Sequence, residues 1–279
     1  MFSANSAIYQ RVAHLKKMVG DSDVVISSET GVRQNIRKVI GAKLRGKKVV
    51  REINEWPLSV IWGESKFKQW IEIYLLPKIF DGFICISDVL VEFCRMHGRK
   101  GIPIFKLPMT VDYDAINSVA MEGDVPVGDY ICYAGGMSEA KDGVETLKKA
   151  CMGFDLKMLN GLSHKDAVRI MAGARCLVLA RPDSLQARAG FPTKLGEYLA
   201  LGRPVVVTKV GEIPRYLEDG VSAYLVEPGD VAGLAKKINE VFADPVLAEQ
   251  IGISGREVAL KNFDYKVHAE ELRDWIRSI

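Results

Sequence analysis

Short runs of β-branched and aliphatic residues alternate with helix-length amphipathic stretches along this chain, and that alternation leaves few folds open. DVVIS (23–27), KVVRE (48–52) and GFICIS (82–87) read as strands, with helical patterns at 32–46, 64–79 and 88–98 after them. The stretch preceding residue 23 reads as one helix. A strand followed by a helix and then another strand implies a crossover connection and a parallel sheet. Pro103, Pro108 and the segment MEGDVPVGD (121–129) break the rhythm with Pro, Gly and acidic residues, which marks a domain boundary.

A second series follows. YICYAGG (130–136) reads as a strand entering a glycine turn, with a helix over 140–151. FDLKMLNG (154–161), CLVLA (176–180), PVVVT (204–208) and SAYLV (222–226) read as further strands. Helices are expected at 163–173, 192–201 and 212–218, and at 230–242, 245–261 and 264–277 at the end of the chain. The expected fold class is therefore α/β, with two Rossmann-like domains built on parallel sheets. The domains are expected at 1–118 and 129–262, with 263–279 as a C-terminal helix crossing back to the first.

Charge is uneven. Residues 1–118 carry a net +6 and residues 119–279 a net −3, and the tract 31–51 holds eight basic residues and no acid (Arg33, Arg37, Lys38, Lys43, Arg45, Lys47, Lys48 and Arg51). Such a tract either attracts phosphates and anionic lipid or forms a solvated helix face. The five cysteines (Cys85, Cys94, Cys132, Cys151, Cys176) are widely spaced and lie mostly in apolar runs, so they read as buried hydrophobes in a reducing compartment. MFSANSAIYQR lacks the apolar core of a signal peptide, and no run is long enough to span a bilayer. The expected location is cytoplasmic, or peripheral at the inner face of the membrane.

In open parallel sheets, ligands bind beyond the carboxyl ends of the strands. Three such ends stand out in the second series. At the first, Gly135 and Gly136 turn the chain out of a strand, and Lys141 opens a helix where a phosphate would be favoured. The second has a polar, glycine-ended loop from Arg181 to Gly190. Pro192 follows at a first helical turn, and Lys194 and Glu197, three apart, share one face of the helix. A carboxylate there is able to accept both hydroxyls of a vicinal diol such as ribose; the plain alternative is a surface Lys–Glu pair. The third, TKVGEIPRYLEDGVSAYLVEPGD, is a tight loop with a short helix and a return strand.

Taken in order, KDG, GFPTKLGEYLALGRPVVVT and GEIPRYLEDGVSAYLVEPGD resemble glycosyltransferase family 4, which has the GT-B fold of two facing Rossmann-like domains. The likeness is strong over 129–279 and looser upstream. It implies transfer of a sugar from a nucleotide-diphosphate donor, UDP- or GDP-linked, to a glycan or lipid-linked acceptor with retained configuration, in polysaccharide or cell-envelope biosynthesis. No cofactor, metal or nucleic-acid partner is implied. By the same resemblance Lys141 contacts the diphosphate, Glu197 binds ribose hydroxyls, and Asn160, Gly161 and Leu162 offer contacts near the base. Gly135, Gly136, Gly190, Phe191, Pro192, Thr193 and Lys194 complete the implied donor site. Asn54, Glu55 and Trp56 are the acceptor-side candidates; for Trp56 and Pro57 a packing turn is the plain alternative. No catalytic residue is singled out, and a solvent-exposed helix start is the simple account of His164.

Three departures qualify the resemblance. The family's second acid, eight residues before Glu197, falls on Ala189, and its diphosphate-binding arginine falls on Gly136. Lys194 is then the candidate for the missing positive charge. The first domain is also expected to be incomplete, so that a second copy or another polypeptide would complete it. The alternative to an enzyme is a non-catalytic nucleotide-sugar-binding subunit, or a truncated remnant that needs a partner chain. An NAD-dependent oxidoreductase is disfavoured, because YAGGMSEAKDG lacks the GxGxxG spacing.

Overall fold

The computed structural model describes residues 24–61, 63–122 and 128–279. The expected helix before residue 23 and most of the interruption at 121–129 lie outside them. The chain divides into two compact units. The N-terminal unit contains 24–108, Arg188–Phe191 and His268–Ile279; the C-terminal unit contains Met109–Ala187 and Pro192–Val267.

In the N-terminal unit four parallel strands follow one another in sequence order: β1 (Val24–Ser27), β2 (Lys48–Ile53), β3 (Gly82–Cys85) and β4 (Ile104–Lys106). Between them run α1 (Val32–Lys43), α2 (Pro57–Val60), α3 (Lys66–Trp70), a π-helical turn (Ile71–Leu75), α4 (Leu76–Ile79) and α5 (Asp88–His97). Right-handed crossovers between sequential parallel strands place α1, α3–α4 and α5 on one face of this sheet. The interior strands are buried on both sides, β2 after its first residue and β3 throughout, which is why they read as continuous apolar runs.

Two readings of this half need correction. The helix expected over 64–79 is three segments, because a π-turn interrupts it. That turn turns Glu72 inward, where it meets Arg51 of β2 in a buried ion pair at 2.5 Å. Arg51 therefore drops out of the basic face that the tract 31–51 suggested. Burial pushes the Glu72 carboxyl up against the opposing pull of Arg51.

The C-terminal unit begins with α6 (Tyr113–Ala120), which had no counterpart in the sequence reading, and continues with β5 (Gly128–Ala134), α7 (Glu139–Asp142), α8 (Val144–Ala150) and β6 (Asp155–Leu159). Then come α9 (His164–Ala172), β7 (Ala174–Leu179), α10 (Leu185–Ala189), α11 (Thr193–Ala200), β8 (Val205–Thr208), α12 (Ile213–Tyr216) and β9 (Tyr224–Val226). The chain closes with α13 (Val231–Ala243), α14 (Pro245–Asn262) and α15 (Tyr265–Ser278). The parallel sheet has the order β6-β5-β7-β8-β9. Its order reverses at β5, since β6 lies on one side and β7 on the other, and such a switch point opens a crevice at the carboxyl ends of those two strands.

The helix expected over 140–151 is broken at Gly143, whose φ of 65° is left-handed. A Cβ on that residue would sit 2.0 Å from the Ala180 carbonyl oxygen, so only glycine permits the turn after β5 to close onto the end of β7. The segment Arg181–Gly190 is likewise not an open loop, since it contains α10. Arg181 is buried and donates to the Ala187 carbonyl at 3.2 Å, and its own carbonyl accepts from Thr208 at 2.8 Å.

Candidate functional site

The switch point of the C-terminal sheet gathers most of the proposed donor residues. Gly135 and Gly136 follow β5 directly. A side chain at 135 would collide with the Tyr133 ring, whose hydroxyl donates to the Gly136 carbonyl at 2.7 Å. Burial, reinforced by the Asp142 carboxylate, raises the Tyr133 hydroxyl well above its ordinary range, which keeps it a donor. Lys141 is half-buried on the single turn of α7. So short a helix has little dipole of its own, and the backbone N–H of Glu145 is already taken by Glu139 at 2.7 Å. The anion-binding argument for this corner therefore rests on the charge of Lys141 more than on a helix terminus.

Glu197 lies on α11, the helix that follows β7. Its neighbour Tyr198 is fully buried, and the Tyr198 hydroxyl accepts from the Ala134 N–H at 2.6 Å. That bond ties α11 to the last residue of β5, beside the glycine turn. Gly196 allows equally close packing on another side: its N–H lies 3.3 Å from the Met109 sulfur, and a Cβ there would meet Met109 at 2.7 Å. With flanking residues locked in this way, the Glu197 side chain has one direction to take.

Glu197 is 8% exposed. Its Oε2 accepts from Lys194 Nζ at 3.0 Å, and its Oε1 faces His164 Nε2 at 3.6 Å. Burial pushes the carboxyl up, but His164 and Lys194 together outweigh it and hold Glu197 below the ordinary carboxylate value. The result is a mostly buried carboxylate kept ionised, flanked by an amine and an imidazole. His164 is the residue that sequence reasoning set aside. It does begin a helix, where the Ser163 hydroxyl caps the Asp166 N–H at 3.1 Å, but the fold aims that helix start at Glu197. No local pattern links the two positions.

Asn160, Gly161 and Leu162 form the exposed turn between β6 and α9, with Gly161 in the left-handed region at φ 74°. They lead through Ser163 to His164. Pro192, Thr193 and Lys194 open α11 in the same unit, with Pro192 buried and Thr193 exposed. Gly190 and Phe191 are buried and belong to the N-terminal unit. There Ser87, the N-cap of α5, donates to the Ala189 carbonyl at 2.5 Å.

The acceptor-side candidates lie just beyond the carboxyl end of β2. Asn54 donates to Glu52 Oε1 at 2.6 Å, and Glu52 is a buried carboxyl that the sequence reading passed over. Trp56 packs edge-on against Phe93 with ring centroids 5.4 Å apart, next to the buried Pro57, which supports its packing role. Glu55 is half-buried. Among the described residues, no group of three or more His, Cys, Asp or Glu side chains is arranged to hold a metal ion.

Two parallel-sheet α/β units, one with a switch-point site of this kind, define a protein of GT-B-like fold. Solved structures agree: HepE of Anabaena in complex with UDP-glucose has a TM-score of 0.73 at 16% identity, covering 98% of this chain and 82% of that one. Sucrose-phosphate synthase of Thermosynechococcus elongatus has a TM-score of 0.69 at 15% identity, covering 99% and 77%. Within that fold, residues 142–244 match the model of the family described as glycosyl transferases group 1.

Curated relatives include phosphatidyl-myo-inositol mannosyltransferase of Mycobacterium leprae, 26% identical over 217 residues, which are 68% of this chain and 57% of the relative. Alpha-maltose-1-phosphate synthase of Mycobacterium tuberculosis is 34% identical over 89 residues, 30% of this chain and 23% of the relative. A trehalose phosphorylase of Grifola frondosa is 42% identical over 60 residues, 22% of this chain and 8% of the relative. The chain thus spans between 8% and 57% of the length of these relatives.

Proposed function

We propose that the chain binds a nucleoside-diphosphate sugar at the switch point of its C-terminal sheet and transfers the sugar to a hydroxyl of a glycan or lipid-linked acceptor. The observation that carries this reading is the ionised Glu197 between Lys194 and His164. A carboxylate in that state accepts from both hydroxyls of a ribose. Lys141 and Lys194 supply positive charge for the diphosphate. The solved structures of similar fold whose complexes contain UDP and UDP-glucose support a uridine donor.

In the transfer, the bond between the anomeric carbon and the diphosphate oxygen breaks. The acceptor oxygen forms the new bond with retained configuration, and its proton leaves toward the departing diphosphate. Negative charge builds on the β-phosphate, where fixed cations lower the barrier most. Asn54 and Glu55 are proposed to meet the acceptor. The proposed setting is polysaccharide or cell-envelope assembly in the cytoplasm, with no cofactor beyond the donor.

A second reading, a binding subunit without catalysis, is favoured by one specific feature. Ala189, at the position of the family's second acid, is fully buried, and its carbonyl is engaged by Ser87. Calorimetric titration with UDP, GDP and their sugars tests the donor site. Binding that Glu197→Ala and Lys141→Ala both abolish is expected, and a folded chain that binds no nucleotide refutes the reading. Release of UDP or GDP from the bound sugar in the presence of acceptor extracts then separates transferase from subunit.

A further inference from the structure

The helices on one face of the N-terminal sheet expose a ridge of aromatic rings. On α3 and the π-turn, Phe67, Trp70 and Tyr74 are 69%, 52% and 47% exposed. Their rings follow one another along the helix, with centroids 6.3 Å apart from Phe67 to Trp70 and 6.1 Å from Trp70 to Tyr74. Three large rings lined up in water are costly unless something covers them. The π-turn contributes to this geometry, since the same segment turns Glu72 inward to Arg51 while Trp70 and Tyr74 stay outward.

Charge on this face is predominantly basic. Lys66, Lys68 and Lys78 are exposed and Glu72 is buried, while the exposed Glu64 partly neutralises Lys68 at 2.6 Å. On α1 and its C-cap Leu44, which lie on the same side of the sheet, Arg33, Arg37, Ile40 and Leu44 recur at spacings of four, three and four, which puts them on one helical face. All four are exposed, Leu44 at 83%. The tract 31–51 contains no acid, although Lys38 and Lys43 are partly neutralised by Glu29 and Asp81. Two neighbouring elements thus present the same combination of apolar side chains standing out from a cationic surround.

We propose that this face docks on an anionic lipid surface, with Phe67, Trp70 and Tyr74 entering the boundary between headgroups and acyl chains while Arg33, Arg37 and Lys66 meet lipid phosphates. Tryptophan and tyrosine suit that boundary because each has an apolar body and a polar tip. The charge decides between occupants. A two-fold contact between copies of this face would set like charges against each other, whereas an anionic bilayer complements them. The proposal goes beyond the donor-site reading and does not depend on it, since docking requires no nucleotide.

The test is co-sedimentation of the full chain with vesicles of phosphatidylcholine containing phosphatidylglycerol, against phosphatidylcholine alone. Binding to the anionic vesicles only, weakened by salt, is expected. Phe67→Ser/Trp70→Ser should lower partitioning by at least about tenfold. Arg33→Gln/Arg37→Gln should lower it about 25-fold at low salt, from roughly fivefold per arginine. All these positions are exposed, and unchanged thermal melts confirm that the variants fold. No vesicle binding by the wild-type chain, or binding that either double variant leaves intact, overturns the proposal. So does a dimer by light scattering that Phe67→Ser/Trp70→Ser dissolves, which would assign the ridge to a second copy. A nucleotide titration run alongside reports on the donor site separately.

Discussion

If Glu197 holds a vicinal diol, its conversion to glutamine must erase selectivity for that diol. A carboxylate has about four acceptor positions. Lys194 takes one on Oε2 at 3.0 Å, and His164 faces Oε1 at 3.6 Å. About two remain, enough for both ribose hydroxyls. A hydrogen bond to a charged group contributes about 1.5–3 kcal/mol, so the pair contributes about 3–6 kcal/mol, or a preference of about 10²–10⁴. Glutamine retains one neutral carbonyl acceptor, which lowers the preference to about tenfold. The assay is calorimetry of the wild type and Glu197→Gln with whichever of UDP and GDP binds, beside its 2′,3′-dideoxy analogue. Selectivity between the two ligands is compared, so a general loss of affinity cancels. An equal ratio in both proteins would refute the reasoning and leave Glu197 as a partner for Lys194 alone.

Three further outcomes follow from the same contacts. Gly143→Ala should destabilise the chain by at least about 2 kcal/mol, from left-handed strain plus the contact with Ala180, read as a shift in the urea midpoint. Glu72→Leu should cost about 3–5 kcal/mol because it strands Arg51 in the core, whereas Arg51→Met/Glu72→Leu should recover most of that loss; urea melts of both distinguish a stranded charge from lost packing. The Glu197 carboxyl titrates lower in the folded chain than its unfolded value of about 4.3, so its contribution is present above that value and is lost as pH falls through the folded one. Wild type should therefore exceed Glu197→Gln in stability at neutral pH, with the gap closing below about pH 4 in urea melts.

Strands were the most legible part of this chain. β2, β3, β7 and β8 are buried on both faces, so their largely apolar runs stand out without reference to any partner. β4 escaped notice because its three residues lie between Pro103 and Pro108 and are defined by pairing with β3. α10 was hidden for a related reason: LQARA is short and polar on one side, and its place is settled by buried Ala187 and Ala189. The break at Gly143 was equally invisible, because the flanking residues continue a helical pattern across it.

What the sequence alone determined is the sum of its local signals: two parallel-sheet α/β series, glycine turns at strand ends, and Lys194 and Glu197 one helical turn apart. Those features depend on residues close together in the chain. Tertiary structure decided the rest. It reversed the strand order at β5, set the start of α9 beside α11, and so brought His164 against Glu197. It also removed Arg51 from the surface by pairing it with Glu72. Such encounters between distant residues depend on which helix crosses over which strand, and a chain read residue by residue has no local term for that.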